Sequence, residues 1–198
     1  MIHGIIFDLD GTLVESSLDF ALIKQQIGCP TDQDLLTFID QLNCPITQQR
    51  ANDIVLEHEN RDANTAKALT GMVELLNYIN RQNLPCAIVT RNSKTASEMK
   101  LKQNNINIDI VLTRECYPAK PAPDALNAIA DQWQIHPKNL IYVGDYLYDI
   151  QAANNAGMIA CFINHGIDTH YQHLADVIVK SLAELLTILK KHGIKKAL

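Results

Sequence analysis

Two aspartates follow a short apolar run near the start of the chain. In the stretch IIFDLDGTL, one residue separates Asp8 from Asp10, and side chains at positions i and i+2 of an extended segment point to the same side. Two carboxylates held together repel each other unless a cation or a shared proton compensates them. The spacing therefore indicates a cation site or an acid–base pair, although either aspartate taken alone could simply form a turn before Gly11.

Three later stretches add polar groups of complementary kinds. VTRN contains Thr90 and Arg91, KPAPD contains Lys120, and GDYLYD contains Asp145 and Asp149. Each residue alone has an ordinary explanation, such as a helix cap, a surface charge or a turn. Together they supply a hydroxyl, an ammonium and two further carboxylates, so the two aspartates are predicted to belong to a larger site.

Short apolar runs alternate with helical patterns along most of the chain. Continuous Ile- and Val-rich runs are typical of strands buried on both faces of a parallel sheet. The predicted strands are residues 2–9, 85–90, 109–112, 140–144 and 159–163, with 177–179 as a sixth candidate. The predicted helices are residues 72–82, 94–104, 124–134, 150–155 and 182–192. This order predicts an α/β fold with a Rossmann-like, doubly wound parallel sheet.

One segment interrupts this alternation. Residues 16–69 contain no strand pattern, but they contain helical patterns at 19–27, 32–42 and 48–66, the second after a capping box at Thr31 and Asp34. The segment has four basic and eight acidic residues and so carries most of the net charge of −5. We therefore predict an all-helical cap, residues 16–69, inserted after the first strand of a catalytic core formed by residues 1–15 and 70–198.

Two signals mark helix ends late in the chain. Ser181 and Glu184 form a capping-box pattern that predicts the start of the last helix. Gly157 and Gly193 stand where the helices before them should stop.

Composition excludes several classes of protein. The chain has 198 residues, of which 47% are hydrophobic and 20% charged, and its 17 basic residues against 22 acidic ones disfavour binding to nucleic acid. No apolar run approaches the roughly 18 residues of a membrane span, and the N-terminus lacks a signal-peptide pattern. The five scattered cysteines form no C-x-x-C pair and are predicted to be reduced, mostly packed thiols. We expect a cytoplasmic protein that is a monomer or homodimer.

The order of the four stretches also matches a known family. Ligands of open α/β sheets bind at the carboxyl ends of the strands, and the stretches follow or flank predicted strands. DLDGTL, VTRN, KPAPD and GDYLYD, in this order, resemble the haloacid dehalogenase-like (HAD) hydrolase superfamily. The resemblance covers essentially the whole chain and points to the phosphoglycolate-phosphatase-like branch, which has a helical C1 cap after the first strand.

The resemblance implies a role for each residue of the site. Asp8 would attack phosphorus and form an aspartyl-phosphate, and Asp10 would protonate the leaving alkoxide before activating the hydrolytic water. Thr90 and the backbone N–H of Arg91 would bind phosphate oxygens. Lys120 would neutralise charge shared between the phosphate and Asp8.

The resemblance also implies Mg²⁺, a hard cation that prefers oxygen ligands. Its ligands would be the Asp8 carboxylate, the Asp10 backbone carbonyl and Asp145. Asp149 would orient this shell by hydrogen bonds or ligate the ion through water. Tyr146 stands where the family often has a small polar residue, which changes the wall around the site and not its acids.

The expected function is thus a Mg²⁺-dependent phosphatase for a small phosphorylated metabolite, with cap closure excluding water. The alternatives are a phosphomutase of the same fold, which the core motifs do not distinguish, and a catalytically silent binding scaffold. A dehalogenase would not need Asp10, and a phosphonate hydrolase would need a reactive cap lysine, for which Lys24 is the one candidate.

Four cap residues could touch the substrate and are not ranked: Phe20, Lys24, His58 and Arg61.

Overall fold

A single parallel sheet organises the chain. The computed structural model describes residues 2–192. Six strands lie in the order β3-β2-β1-β4-β5-β6, and every neighbouring pair is parallel. The strands are β1 (Gly4–Phe7), β2 (Cys86–Val89), β3 (Ile110–Leu112), β4 (Leu140–Gly144), β5 (Ile159–Ile163) and β6 (Val177–Val179). The strand order reverses between β1 and β4, where ligands of doubly wound folds bind.

Eight α-helices accompany the sheet within the described residues. Two short 3₁₀ turns, Pro137–Asn139 and Gln172–Leu174, connect later elements. The helices are α1 (Phe20–Ile27), α2 (Leu35–Asp40), α3 (Pro45–Ala63), α4 (Met72–Arg81), α5 (Lys94–Gln103), α6 (Asp124–Trp133), α7 (Leu147–Ala156) and α8 (Leu182–His192). The predicted Rossmann-like α/β fold with a helical insertion after the first strand is confirmed.

Alternation along the central strand divides the core into two layers. Ile5 and Phe7 of β1 are buried with the apolar side chains of α4 and α8. Ile6 points to the opposite face and is buried with those of α6 and α7, because successive strand side chains alternate between faces. Both faces of the sheet are thus covered by helices, which explains why its strands are continuous apolar runs in the sequence.

Helices α1–α3 form a separate layer over the carboxyl ends of the strands. They have an apolar cluster of their own, formed by Ile23, Cys29, Leu35, Ile39, Ala51 and Val55. The chain enters and leaves this layer through two segments that lie side by side. Glu15 N donates to Lys67 O at 2.7 Å, and Leu69 N donates to Leu13 O at 2.9 Å. The boundary of the insertion at residues 16–69 stays a prediction.

Some predicted helix ends are wrong by a few residues. The predicted Thr31/Asp34 capping box is wrong, because Asp34 is itself the N-cap of α2 and its carboxylate accepts from Thr37 N at 3.0 Å. Helix α7 begins at Leu147 and not at 150. The aromatic Tyr146 occupies its N-cap position, and an aromatic residue there is not a recognised helix-start signal.

The remaining local predictions have mixed outcomes. Helix α8 begins beside Ser181 and Glu184 as expected, and α7 ends at Gly157, whereas Gly193 lies outside the described residues. The five cysteines are free thiols. Cys44 and Cys116 are exposed, so the expected burial fails for these two. Across residues 2–192, no helix has both the length and the apolar character needed to cross a membrane.

Candidate active site

The end of β1 presents both aspartates of the first motif. Asp8 is buried, and its backbone N–H donates to Val143 O at 2.8 Å, so it continues the register of β1 against β4. The chain then turns at Gly11, which has φ +70°. The Asp8 and Asp10 side chains meet different lysines, so the two adjacent acids occupy different electrostatic environments.

Lys120 joins three groups beneath the site. Its side chain is buried, and Nζ donates to Asp8 Oδ1 at 2.6 Å, to Asp149 Oδ1 at 2.5 Å and to the Tyr142 hydroxyl at 2.8 Å. Burial alone would lower the pKa of Lys120, but the Asp149 and Asp8 carboxylates outweigh it and raise this pKa. Lys120 is therefore protonated, and its positive charge lies next to the Asp8 carboxyl.

Three carboxylates at the strand ends form one acidic cluster. One oxygen each from Asp8, Asp145 and Asp149 lies within 4.8 Å of the others. Burial and repulsion from Asp149 and Asp8 raise the pKa of Asp145 to about 8. Burial likewise raises the pKa of Asp8 to about 7 although Lys120 opposes it.

The donor set of this cluster suits a hard divalent cation. Three carboxylates face a single ammonium, so negative charge is in excess, and oxygen ligands are those that Mg²⁺ prefers. The Asp145 carboxylate occupies the space where residue 11 would carry a side chain. A Cβ on Gly11 would lie only 2.2 Å from Asp145 Oδ2, so this close approach requires glycine. The Asp10 carboxylate is not part of the cluster, and the expected contribution of its backbone carbonyl stays a prediction.

Asp149 is held rigidly at the start of α7. Its Oδ1 lies 3.0 Å from the Tyr142 hydroxyl and accepts from Lys120, and its Oδ2 accepts from Tyr146 N at 3.0 Å. Both oxygens are therefore already bonded. This geometry suits the orienting role expected for Asp149 better than direct ligation.

The residues expected to bind phosphate follow β2. Thr90 is buried, and its Oγ1 accepts from Asn92 N at 3.2 Å. The Arg91 guanidinium pairs with Asp34 of the insertion at 2.6 Å. It also lies over the ring of Tyr148 in α7, 4.6 Å from the ring centroid. The Arg91 backbone N–H belongs to the turn into α5, and its expected contact with phosphate stays a prediction.

The predicted site residues all line one cavity between the sheet edge and the insertion. This cavity has a volume of about 420 Å³ and is bordered by Asp8, Asp10, Thr90, Arg91, Lys120, Asp145 and Asp149. The insertion contributes a mainly apolar wall with three charged residues and one serine, formed by Ser16, Leu18, Phe20, Ile23, Lys24, Asp34, Leu35, Leu36, Val55 and Glu59. Phe20 and Lys24 thus face the cavity. His58 and Arg61 lie elsewhere and bond to Gln26 and Glu57.

Two buried residues near the site were not predicted from the sequence. Tyr142 lies in the middle of β4 and supports Lys120, but inside an apolar run it looks like an ordinary core residue. Lys100 lies in α5, where it is fully buried and bonds to Asp10 and Asp62. Burial raises the pKa of Asp10 although Lys100 opposes the shift. No pattern in the sequence of α5 distinguishes this lysine from its neighbours.

Within residues 2–192, three ion pairs cross from the insertion to the core. Asp34 pairs with Arg91, Glu59 with Arg114, and Asp62 with Lys100. Glu59 also accepts from Ser93 N at 3.1 Å. Part of the acidic surplus of the insertion is therefore neutralised by basic residues of the core.

Comparison with known proteins identifies the family. The family model for haloacid dehalogenase-like hydrolases matches residues 18–163. An uncharacterized hydrolase of Saccharomyces cerevisiae is 28% identical, with 96% of this chain and 91% of that protein covered. A phosphoglycolate phosphatase of Vibrio vulnificus is 29% identical, with 93% of this chain and 94% of that protein covered.

Comparison with solved structures shows the same fold in another protein. The crystal structure of a hydrolase from Pseudomonas syringae superimposes with a TM-score of 0.80 at 21% identity, covering 96% of this chain and 98% of that one. The chain belongs to the haloacid dehalogenase-like hydrolase family. It falls in the phosphoglycolate-phosphatase-like branch, whose enzyme class is phosphoric monoester hydrolase.

Proposed function

We propose that this protein is a Mg²⁺-dependent phosphatase that hydrolyses a small phosphorylated metabolite through an aspartyl-phosphate on Asp8. The observation that carries the proposal is the single cavity in which the acidic cluster, Lys120 and Thr90 face the same space. Relatives support it, because they include a phosphoglycolate phosphatase and an N-acetylmuramic acid 6-phosphate phosphatase.

Asp8 is the proposed nucleophile. Its carboxylate oxygen forms a bond to phosphorus while the bond from phosphorus to the leaving oxygen breaks. Lys120, at 2.6 Å from Asp8 Oδ1, offsets the charge of the carboxylate and of the arriving phosphate. The leaving oxygen takes a proton from Asp10.

Asp10 then changes role from acid to base. A water molecule attacks phosphorus, its proton passes to the Asp10 carboxylate, and inorganic phosphate leaves as the Asp8 carboxylate is restored. The different surroundings of the two aspartates suit this division of labour, because Asp8 faces Lys120 whereas Asp10 faces Lys100.

Phosphate and metal binding complete the proposal. The Thr90 hydroxyl and the Arg91 backbone N–H bind phosphate oxygens. Mg²⁺ would be held by the Asp8 carboxylate, the Asp10 backbone carbonyl and Asp145, with Asp149 orienting the set. When bound, the ion supplies positive charge that offsets the phosphoryl oxygens.

The insertion, residues 16–69, is proposed to act as a cap that covers the cavity, excludes water and selects the substrate. The position of Phe20 and Lys24 on the cavity wall supports this role. The cytoplasmic location and the monomeric or dimeric state stay predictions from the sequence.

Phosphate release from 4-nitrophenyl phosphate and a panel of metabolite phosphates tests the proposal. The assay is run with Mg²⁺, with EDTA, in Asp8→Asn, and in Asp131→Asn, a matched control at an exposed position outside the cavity. We expect turnover with Mg²⁺ that is lost with EDTA and in Asp8→Asn, and that Asp131→Asn retains. Turnover that survives Asp8→Asn would contradict the nucleophile, and isomerisation of a sugar phosphate without phosphate release would indicate a mutase.

A further inference from the structure

Lys100 is a buried cation outside the cavity. It lies in α5, its side chain is 0% exposed, and it is not among the residues that line the cavity. Its Nζ donates to Asp10 Oδ1 at 2.5 Å and to Asp62 Oδ2 at 2.6 Å. Burying an ammonium away from water is costly unless hydrogen-bond acceptors such as carboxylates surround it. The Asp10 and Asp62 carboxylates therefore fix the position of the Lys100 ammonium.

Asp62 connects this pair to the base of the insertion. It lies in the last turn of α3, close to where the chain returns to the core. Its Oδ1 accepts from Ser17 N at 2.6 Å and from Ser17 Oγ at 2.8 Å, and its Oδ2 accepts from Ser16 Oγ at 3.2 Å. Ser16 and Ser17 lie on the outgoing segment, so Asp62 joins both segments that link the insertion to the core.

We infer that Lys100 is a positioning residue: it holds the Asp10 carboxyl in its working orientation and ties it, through Asp62, to the two segments that carry the insertion. The inference rests on the proposed role of Asp10 as the acid that protonates the leaving oxygen. Lys100 acts through Asp10, because it has no surface on the cavity and contacts no other site carboxylate. One chain of hydrogen bonds thereby links the position of the insertion to the orientation of the Asp10 carboxyl.

A merely structural ion pair makes a different prediction. Arg114 also pairs a core cation with a buried carboxylate of the insertion, Glu59, but touches none of the proposed acids. If Lys100 only stabilised the fold, its loss and the loss of Arg114 would lower turnover of every substrate by one common factor. If Lys100 positions the Asp10 carboxyl, removal of Lys100 should lower turnover most for substrates whose leaving oxygen needs a proton.

The test compares kcat/KM for phosphate monoesters with different leaving groups. This ratio covers the steps up to departure of the leaving group, where Asp10 acts as an acid. An alkoxide needs a proton to leave, whereas 4-nitrophenolate leaves without one. We expect Lys100→Met to lower kcat/KM by about 10²-fold for alkyl phosphates and by less than about tenfold for 4-nitrophenyl phosphate. Arg114→Met, the matched control, should lower both by the same factor.

Asp62→Asn provides a second test, because Lys100→Met leaves two carboxylates without their cation and its folding must be checked by thermal melting. Asp62→Asn keeps the Lys100 contact with Asp10 and weakens the tie to Ser16 and Ser17. We expect a smaller loss that again falls mainly on alkyl phosphates, and a double variant no worse than Lys100→Met alone, as for residues acting in one network.

The outcomes separate this inference from the proposed function. A uniform loss across leaving groups, or no loss, in Lys100→Met overturns the inference. If Lys100→Met does not fold, the leaving-group dependence of Asp62→Asn decides in the same way. A wild-type protein without turnover on any monoester would instead overturn the proposed function.

Discussion

The ammonium of Lys120 lies 2.6 Å from the Asp8 carboxylate although 112 positions separate the two residues in the chain. The pair is possible because β1 and the segment before α6 end at the same edge of the sheet. Lys120 also pairs with the Asp149 carboxylate, so one ammonium neutralises charge on two acids. A buried charge with these partners has direct consequences for activity, for metal binding and for stability.

Removal of Lys120 should uncouple activity from metal binding. Lys120→Met is expected to lower kcat by on the order of 10²–10³, the usual cost of losing one group that stabilises developing charge. Mg²⁺ should still raise the melting temperature, because the acidic cluster becomes more negative without the ammonium. Phosphate release and thermal melting with and without Mg²⁺ measure the two effects. Lys138→Met, at an exposed position, is the control, and parallel loss of activity and Mg²⁺ stabilisation would contradict the assignment.

Tyr142→Phe should isolate the hydroxyl that supports Lys120. The ring stays packed, but the hydroxyl 2.8 Å from Lys120 Nζ and 3.0 Å from Val89 O is lost. Leaving buried partners unsatisfied costs about 1–3 kcal/mol, which urea denaturation would measure. Tyr117→Phe removes a hydroxyl from an exposed tyrosine and should be neutral. Equal stabilities for the two variants would mean that the Tyr142 hydroxyl contributes nothing.

Gly11→Ala should impair metal binding beyond its effect on the backbone. Gly11 has φ +70°, and a Cβ there would meet Asp145 Oδ2 at 2.2 Å. Gly28 has φ +71° with no atom within 4 Å of the corresponding Cβ, so Gly28→Ala carries the same backbone strain without the contact. Each variant should lose about 1 kcal/mol from strain. Only Gly11→Ala should need much more Mg²⁺ for half-maximal activity, and equal Mg²⁺ requirements would rule out the steric role of this glycine.

The stability of the metal-free protein should fall as the pH rises. The folded pKa values of Asp145, about 8, and of Asp8, about 7, exceed the ordinary value of 3.8. A raised pKa in the folded state means that the folded state binds more protons than the unfolded state. The resulting stabilisation is complete below the unfolded pKa and is lost progressively as the pH rises through the folded pKa. Mg²⁺ competes with these protons, and its stabilising effect should therefore grow between about pH 6 and about pH 8.

Melting curves of the wild type and of Asp145→Asn, each with EDTA and with Mg²⁺, measure this dependence. The variant lacks the carboxyl with the higher pKa, so its metal-free stability should vary less over this range. Its response to Mg²⁺ should also be smaller at every pH. A Mg²⁺ effect in the wild type that does not change with pH would show that the cluster binds the ion without releasing protons.

The sequence was informative wherever local pattern and chain topology act together. Uninterrupted Ile and Val runs predicted the strands, because a parallel sheet covered on both faces needs no polar side chains. The motif residues Asp8, Thr90 and Asp145 were expected at one sheet edge because they lie at or just after the ends of predicted strands, and they line one cavity. Helix ends were predicted less accurately, as at Tyr146, because a helix cap depends on which backbone groups the surrounding structure leaves free.

The sequence by itself determined which strands form and which acids and bases stand at their ends, since these follow from local apolar pattern and from the direction of parallel strands. Only the tertiary structure decided how the two aspartates of the first motif are partnered: Asp8 with Lys120, and Asp10 with Lys100. In α5, Lys94 and Lys102 are exposed whereas Lys100 is fully buried. That difference depends on the insertion packing across the helix, a contact between distant segments that no local pattern of lysines encodes.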